Sequence, residues 1–399
     1  MTKQAVILAG GLGSRLGELT KSVAKPLLMV GGVPFVEHLI NNLKRFGFDD
    51  VILLCGYKSE SFLPLTVPGK FPGLRIRLSV EVEDRLLGTG GALKNARTLL
   101  DETFLLLNGD TYFDFNLLDL VAKFGSSDFI GRLALRAIHS DGRYGCVTLQ
   151  DERITEFLPS SEPGPIVING GVYVLNRELV DEIPDQPCSL ERDVFPEFAK
   201  RGRLSGYVYT GDFLDIGVPD DLARAPAFIE TLARKPAAFL DRDGVLNVDH
   251  GYVHKIENIT WVKGAKDAVK ALNDRGYYVF VVTNQAGVAR GYYTTEDVET
   301  LHRHMSDELR EVGAHIDAFE YCPHHPDGVV DAYRTHSRRR KPEPGMIEDL
   351  LLSWPIERDK SFLIGDRETD LQAAKAAGVT AHLFNTPRLD LFLEQILHA

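Results

Sequence analysis

The sequence predicts an α/β protein with two domains, each built on a mostly parallel sheet. Short β-branched runs alternate with longer amphipathic stretches along the 399 residues, which is typical of strands joined by helices. The length exceeds what one core usually serves, since a domain has about 100–200 residues. A second series of strand-like runs begins after Pro236, where an amphipathic stretch has ended. We therefore predict domains at 1–232 and 237–399, with 233–236 as the linker.

The elements follow from the pattern of apolar residues. Buried strands are predicted at short runs of branched and aromatic residues, namely Val6–Leu8, Val51–Cys55, Phe104–Leu107, Val172–Leu175, Ala237–Leu240, Tyr278–Val282 and Phe362–Ile364. Helices are predicted where apolar residues recur every three or four positions, namely at Phe35–Phe46, Asp119–Phe124, Pro219–Leu232, Ala265–Arg275 and Thr295–Val312.

Composition and charge exclude several classes of protein. The 45 basic and 57 acidic residues give a net charge of −12, which argues against nucleic-acid binding, because binding to a phosphate backbone needs basic clusters. No apolar run reaches the roughly eighteen residues of a membrane helix, and no signal-peptide core precedes Arg15. Four widely spaced cysteines do not suggest a disulfide framework. We expect a cytoplasmic protein that binds neither membrane nor nucleic acid.

A glycine-rich turn follows the first predicted strand. Gly10, Gly11 and Gly13 have no Cβ atom, so their backbone N–H groups can approach phosphate oxygens closely. Arg15 offers a fork of donors to the same anion, and Lys25 adds a point charge. A tight turn with a surface arginine would give the same local pattern, so the glycines alone leave both interpretations open.

Two aspartates end later strand-like runs of this domain. Asp110 lies in LLNGDTYFD and Asp215 in FLDIG, and ligands of open α/β sheets bind at the carboxyl ends of strands. Two carboxylates beside a phosphate-binding loop suit Mg²⁺, which takes a few protein oxygens together with substrate phosphates. The glycine-rich stretch Leu87–Leu93 offers another close backbone approach, suited to a flat nucleobase.

In this order the motifs resemble the sugar-1-phosphate nucleotidylyltransferases over residues 1–232. The resemblance implies a Rossmann-like fold and attack of a sugar 1-phosphate on the α-phosphorus of a nucleoside triphosphate. It implies nucleotide binding by Leu8, Gly10, Gly11, Gly13 and Gly88, catalysis by Arg15 and Lys25, and Mg²⁺ binding by Asp110 and Asp215. Sugar contacts are expected from Glu156, Asn169 and Gly171. The family's sugar-phosphate lysine is absent from ITEFLPS, which argues against a common hexose substrate.

The second domain also places acids after a predicted strand. Asp241 and Asp243, in FLDRDGVLN, are two residues apart, so both can face one phosphate just past the strand end. A solvated Asp-x-Asp loop would look the same in isolation. Further segments add hydroxyl, amide, cationic and acidic groups: Thr283, Asn284, Arg340, Lys341, Asp366 and Asp370.

In motif order and length this domain resembles the haloacid-dehalogenase-like phosphatases, which implies a second Rossmann-like fold. The resemblance implies that Asp241 is the nucleophile, forming an aspartyl phosphate, and that Asp243 is the general acid and then the base for water. It implies phosphate binding by Thr283, Asn284, Arg340 and Lys341. It implies Mg²⁺ binding by Asp241, Asp366 and the Asp243 carbonyl, with Asp370 as support or a further ligand.

Longer segments resemble the D-glycero-D-manno-heptose 1,7-bisphosphate phosphatases, with the histidinol phosphatases as their nearest relatives. These segments are DHGYVHKIEN, TNQAGVARGYY and YCPHHPDG. The subfamily often holds a structural zinc through Cys-x-His and Cys-x-Cys pairs. Cys322 and His324 are present, but Ser337 and Arg339 stand at the places of the second pair, so we expect no zinc. Two histidines could substitute for the lost thiolates: His325 and His336.

Together these features predict a bifunctional enzyme of nucleotide-heptose synthesis that depends on Mg²⁺ in both domains. One domain would remove the 7-phosphate, and the other would join the heptose 1-phosphate to a nucleotide. Guanosine is expected, because the first domain resembles D-glycero-α-D-manno-heptose 1-phosphate guanylyltransferases. Two alternatives stay open: a hexose-1-phosphate transferase fused to a histidinol-phosphate-type or other phosphatase, and a fusion in which one half is a non-catalytic regulatory module.

Overall fold

The structure is a computed structural model that describes residues 2–11, 13–81, 86–125, 127–140, 142, 144–160 and 163–398. The chain divides into two compact units, Met1–Leu232 and Ala233–Ala399. The segment predicted as a linker is tied to the second unit, because Lys235 exchanges backbone hydrogen bonds with Pro355 and Glu357. None of the helices among the described residues has the length and apolarity needed to span a membrane.

The first unit has a central sheet with helices on both faces. Its strands are β1 Gln4–Leu8, β2 Met29–Val30, β3 Val33–Pro34, β4 Asp50–Cys55, β5 Arg75–Val80, β6 Thr103–Asn108, β7 Thr111–Phe113, β8 Gly131–Ser140, β9 Gly145–Gln150, β10 Arg153–Ser160, β11 Gly164–Asn176, β12 Leu204–Tyr209 and β13 Phe213–Asp215. Its helices are α1 Glu18–Ser22, α2 Phe35–Arg45, α3 Gly88–Asn95, α4 Leu117–Gly125, α5 Arg177–Asp181, α6 Phe195–Lys200 and α7 Pro219–Ala233.

The sheet of the first unit is parallel in one half and largely antiparallel in the other. Its strand order is β5-β4-β1-β6-β11-β8-β12-β10-β9. The strands from β5 to β6 pair in parallel, which agrees with the predicted mostly parallel sheet although β5 itself was not predicted, whereas β11 runs antiparallel to both β6 and β8. The antiparallel pairs were not predicted. The connection between β9 and β10, residues 151–152, is too short for the crossover helix that a parallel pair requires.

Both faces of this sheet are buried, as β1 illustrates. Ala5 and Ile7 pack with Leu39 of α2 on one face, whereas Val6 packs with Leu93 of α3 on the other. A strand buried on both faces has a continuous apolar run instead of alternation. Because β1 and β6 are paired in parallel, their carboxyl ends lie side by side, and so do the loops that follow them.

The second unit has a smaller, wholly parallel sheet with the order β16-β15-β14-β17-β18. Its strands are β14 Ala237–Leu240, β15 Tyr278–Asn284, β16 Ala318–Cys322, β17 Phe362–Gly365 and β18 Thr380–Leu383. Its helices are α8 Ala265–Asp274, α9 Thr295–Glu311, α10 Gly345–Ser353, α11 Glu368–Ala376 and α12 Leu389–Leu397. The predicted α/β class is confirmed for both units. The carboxyl ends of β15, β14 and β17 are neighbours, so the polar residues after these strands meet at one edge.

Candidate active sites

A cavity of about 450 Å³ opens at the carboxyl ends of β1 and β6 in the first unit. Both strands end where the apolar run gives way to glycine or a polar residue, so the backbone turns away and leaves room for a ligand. Seven of the predicted site residues line this cavity: Leu8, Gly10, Gly11, Gly13, Lys25, Gly88 and Asp110.

Two of the glycines have conformations and neighbours that exclude a side chain. Gly13 has a φ of 63°, and a Cβ atom there would lie 2.8 Å from the Thr20 Cγ2 atom. Gly88 has a φ of 72°, and its Cβ atom would lie 2.5 Å from the Cys188 carbonyl oxygen. Positive φ angles are strained for other residues. Glycine at both positions therefore leaves backbone atoms, and no side chain, in the cavity wall.

A lysine lies between the two aspartates predicted to bind metal. The buried Lys25 places its Nζ atom 2.6 Å from Asp110 Oδ2 and 3.8 Å from Asp215 Oδ1. The antiparallel pairing of β7 with β13 brings the two acids together. Burial and the Asp110 carboxylate raise the pKa of Asp215, and Lys25 opposes that rise. Arg15 belongs to the same cluster, since its Nη2 atom is 3.4 Å from where a Cβ atom of Gly217 would lie.

The predicted sugar-binding residues separate into two groups. The Asn169 side chain accepts from the Gly171 N–H at 3.0 Å and donates to the Tyr173 hydroxyl at 2.9 Å. Tyr173 in turn donates to Asn108, a residue of the cavity wall, at 3.4 Å. Glu156 is an exposed residue of β10 and is not among the described residues that line the cavity.

A buried acid of the cavity wall, Glu81, was not predicted from the sequence. Its Oε2 atom accepts from the Leu87 N–H at 2.6 Å, and its Oε1 atom lies 3.1 Å from where a Cβ atom of Gly10 would be. Burial raises the pKa of this carboxyl, although the Leu87 N–H works against that rise. The available signal was its place directly after β5, a strand that was not predicted.

The second unit has a cavity of about 640 Å³ where β14 and β15 end. Six predicted site residues line it: Asp241, Asp243, Thr283, Asn284, Arg340 and Lys341. Asp370 lines it as well. Asn284 fixes the segment after Arg340, because its side chain accepts from the Lys341 N–H and donates to the Lys341 carbonyl, both at 3.0 Å.

Lys341 is the most deeply buried cation of this site, since only 3% of the residue is exposed. Its ammonium group is 2.9 Å from Asp241 Oδ1 and 2.6 Å from Asp370 Oδ1, and it donates to the Val282 carbonyl at 2.8 Å. Burial alone would lower the pKa of Lys341, but the two carboxylates outweigh burial and raise it. Burial raises the pKa of Asp241, and Lys341 opposes this.

Three carboxylates form a group that suits a divalent cation. Asp241, Asp366 and Asp370 each offer an oxygen atom within 4.8 Å of the others. The Oδ1 atom of Asp366 is buried and has no hydrogen-bond partner among the described residues, although a buried polar atom normally has one. Carboxylate oxygens are the ligands that Mg²⁺ prefers. The Asp243 side chain lies outside this group, in keeping with the expectation that only its carbonyl binds metal.

Two arginines beside Arg340 were not predicted as site residues, Arg290 and Arg367, and His325 was considered only as a zinc ligand. Arg290, Arg367 and His325 line the same cavity. Arg367 is mostly exposed and donates to Asp249 at 2.8 Å. Burial lowers the pKa of Arg340, and the nearby Arg290 contributes to this. A cavity lined by buried carboxylates and by this rim of more exposed arginines suits a substrate with two anionic groups.

The loop that could have held zinc carries a serine and an arginine, Ser337 and Arg339, instead of two thiolates. Cys322 Sγ lies 3.9 Å from His324 Nδ1. Arg339 forms ion pairs with Glu320 and with Asp349, and its N–H donates to the Ser337 hydroxyl at 3.2 Å. A guanidinium group repels a metal cation, so this geometry agrees with the expectation of a zinc-free loop, which stays a prediction.

Residues 4–231 match the model of the nucleotidyl transferase family. Among solved structures, this chain is similar to HddC from Yersinia pseudotuberculosis in complex with GMP-PN, with a TM-score of 0.51 and 29% identity. That similarity covers 56% of this chain and 98% of HddC.

Residues 338–387 match the model of the HAD-hydrolase-like family. The D-glycero-beta-D-manno-heptose-1,7-bisphosphate 7-phosphatase of Rhodopseudomonas palustris is 51% identical over 164 residues, which are 41% of this chain and 91% of the relative. The phosphatase of the same name from Escherichia coli K12 is 45% identical over 144 residues, 36% of this chain and 75% of the relative.

Proposed function

Because the chain belongs to the nucleotidyl transferase family and, through its second unit, to the family of the heptose bisphosphate phosphatases, we propose that it makes a nucleotide-activated heptose. The chain is an enzyme with both activities. The second unit removes the 7-phosphate of heptose 1,7-bisphosphate, and the first unit transfers a nucleotidyl group to the heptose 1-phosphate. The relatives of the second unit favour heptose over the histidinol-phosphate alternative.

The observation that carries this proposal is the layout of the second cavity. The 7-phosphate would lie against Asp241 and Lys341, and the 1-phosphate would lie against the arginines of the rim. An unpaired dianion in a buried site is unfavourable, so a cavity that is lined by arginines in addition to Lys341 favours a bisphosphate over a monophosphate. Arg290 and Arg340 are the rim residues that we assign to the second phosphate.

The hydrolysis proceeds through a covalent intermediate on Asp241. A carboxylate oxygen of Asp241 attacks the phosphorus atom, the bond to the heptose oxygen breaks, and Asp243 gives that oxygen a proton. Asp243 then takes a proton from water, whose oxygen displaces the phosphate from Asp241. Thr283 and Lys341 hold the phosphoryl oxygens through both steps. A Mg²⁺ ion held by Asp241, Asp366 and Asp370 would neutralise charge on the phosphoryl group.

In the first unit an oxygen of the heptose 1-phosphate attacks the α-phosphorus of the nucleoside triphosphate, and pyrophosphate leaves. The protein supplies position and charge and no nucleophile of its own. The loop of Gly10, Gly11 and Gly13 holds the phosphates, while Arg15 and Lys25 neutralise charge as it develops. Asp110 and Asp215 would hold Mg²⁺, whose charge suits two acids that lie side by side, the first of which raises the pKa of the second.

Glu81 supports guanine as the base. A carboxylate accepts two hydrogen bonds side by side, and the Watson–Crick edge of guanine presents two adjacent donors, N1–H and the 2-amino group. No other base presents two adjacent donors on this edge, because adenine and cytosine have one donor beside an acceptor and uracil has one donor between two acceptors. The relative HddC was solved with GMP-PN, a guanine nucleotide. We therefore assign GTP as the nucleotide substrate.

A comparison of substrates tests both the heptose and the GTP assignment. The full chain should release phosphate from heptose 1,7-bisphosphate at least roughly a hundredfold faster, by kcat/KM, than from histidinol phosphate, because only the bisphosphate reaches both ends of the cavity. With heptose 1-phosphate it should prefer GTP over ATP, CTP and UTP. Glu81→Gln should lower that preference by roughly 1–3 kcal/mol, whereas the exposed Glu60→Gln should not. Equal use of the two phosphate esters would overturn the heptose assignment.

A further inference from the structure

Gln285 is buried directly after β15 and contacts two groups that the hydrolysis uses. Only 1% of the residue is exposed. Its Nε2 atom donates to Asp243 Oδ2 at 3.0 Å and to Thr283 Oγ1 at 2.9 Å. Its Oε1 atom accepts from the Tyr293 hydroxyl at 2.8 Å and from Arg242 at 3.3 Å. All four hydrogen-bonding positions of this amide are therefore satisfied.

The partners of the oxygen atom determine which way the amide faces. Tyr293 and Arg242 both donate to Oε1, so the NH₂ group must point to Asp243 and Thr283. Tyr293 is itself held in place, since its ring stacks on His254 with centroids 4.7 Å apart. A flipped amide would place an oxygen against the Asp243 carboxylate, which is unfavourable.

The orientation of Gln285 also sets the hydroxyl of Thr283. Because Thr283 Oγ1 accepts from Gln285, its own hydrogen points away from Gln285. Thr283 lines the cavity, so that hydrogen is free to bond a phosphoryl oxygen. One amide therefore orients the acid and the phosphate-binding hydroxyl together.

Three side chains donate hydrogen bonds to the Asp243 carboxylate: Arg242, Asn247 and Gln285. Arg242, which is fully buried, donates to Oδ1 at 3.0 Å and to Oδ2 at 2.8 Å, and Asn247 donates to Oδ1 at 3.0 Å. Arg242 supplies the charge and Gln285 completes the contacts on Oδ2. These bonds restrict rotation of the carboxylate, and misplacing a catalytic group by about 1 Å can cost a hundredfold in rate.

We propose that Gln285 is a positioning residue of the phosphatase reaction, acting through Asp243 and Thr283, with Tyr293 setting its amide. The inference rests on the proposed role of Asp243 as the acid that protonates the leaving oxygen. A sugar alkoxide is a poor leaving group and needs that proton, whereas 4-nitrophenolate leaves without one. Loss of Gln285 should therefore harm the two substrates unequally, which general damage to the fold would not do.

The test measures kcat/KM for heptose 1,7-bisphosphate and for 4-nitrophenyl phosphate, because kcat/KM reports the steps from substrate binding to formation of the aspartyl phosphate. The ratio of the two values, sugar substrate over 4-nitrophenyl phosphate, is the quantity compared between variants. In Gln285→Met the sugar substrate should lose roughly tenfold or more beyond the loss seen with 4-nitrophenyl phosphate. Tyr293→Phe should shift the ratio in the same direction by less. The matched control is Tyr321→Phe, whose hydroxyl donates to Glu299 at the surface, and it should leave the ratio unchanged.

Measurements on the Asp243→Asn variant separate the positioning role of Gln285 from the proposed acid role of Asp243. Asp243→Asn should shift the ratio strongly, and adding Gln285→Met to that variant should shift it no further. If Asp243→Asn leaves the ratio unchanged, the acid role itself is wrong. If Asp243→Asn shifts it but Gln285→Met and Tyr293→Phe do not, the positioning role of Gln285 is overturned. Should Gln285→Met fail to fold, Tyr293→Phe decides between the two results.

Discussion

Replacing Lys341 with methionine should destabilise the second unit and abolish its phosphatase activity. Methionine keeps the length and apolar stem of the side chain but removes its charge. The variant leaves Asp241 and Asp370 buried beside each other without the cation that lies 2.9 Å and 2.6 Å from them. The Val282 carbonyl loses its hydrogen bond as well.

The size of the effect follows from that burial. Removing one partner of a buried ion pair destabilises a protein by about 3–5 kcal/mol, because the remaining charge has no compensation. Mg²⁺ should recover part of this loss, since it binds the folded acids and supplies positive charge; a ligand at a hundred times its Kd adds about 2.7 kcal/mol. The loss should therefore be largest when the metal is chelated.

Tryptophan fluorescence during denaturant unfolding measures this directly. The two tryptophans of the chain, Trp261 and Trp354, both lie in the second unit, so their signal reports that unit alone. The control is Lys360→Met, an exposed lysine of the same unit whose loss should change stability by less than about 1 kcal/mol. A loss below about 1 kcal/mol for Lys341→Met in chelator, or retained phosphatase activity, would refute the ion-pair argument.

Three further predictions test separate parts of the molecule. Asp110→Asn should abolish nucleotidyl transfer and leave phosphate release intact, as measured by pyrophosphate and phosphate assays; joint loss would contradict two independent sites. Gly88→Ala should raise the KM for GTP at least roughly tenfold, because its Cβ atom would meet the Cys188 carbonyl 2.5 Å away; an unchanged KM would argue against the tight wall. Burial and Arg242 lower the pKa of His302 to about 3, so the unfolded state binds the extra proton and the free energy of unfolding should fall by about 2 kcal/mol from pH 7 to pH 5. In His302→Gln this fall in the free energy of unfolding between pH 7 and pH 5 should disappear, and an unchanged pH dependence would exclude His302 as its source.

The parts of the sites that sequence patterns predicted are those set by short-range chemistry. A buried strand that ends in an acid or in glycine is visible locally, and Asp110, Asp241 and Gly13 were found that way. Lys341 was singled out from the sequence only as one of two neighbouring cations, and its role came from the family resemblance, because nothing local indicates that a lysine after an arginine lies buried among acids. The sheet brings it there through Asn284, a residue far away in sequence.

The remaining site residues were missed for different reasons. Glu81 follows a strand, Arg75–Val80, in which polar and apolar residues alternate. That alternation is a local signal of a half-buried strand, but the strand was not predicted. Arg290 and Arg367 lie in loops, where a surface arginine is the ordinary expectation. The antiparallel pairing of β11 with β6 and β8 was missed because strand partners that are distant in sequence leave no local signal of their pairing.

The order of the two reactions is the most direct test of the account. The full chain, with Mg²⁺, GTP and heptose 1,7-bisphosphate, should release phosphate and pyrophosphate and form a GDP-heptose without a 7-phosphate. Asp241→Asn should form almost no nucleotide-heptose from the bisphosphate, yet transfer normally with heptose 1-phosphate, because the family's sugar-phosphate lysine is absent from ITEFLPS and a buried dianion without a partner is unfavourable. Rapid formation by Asp241→Asn of a nucleotide-heptose that still carries its 7-phosphate would contradict the proposed sequence of reactions.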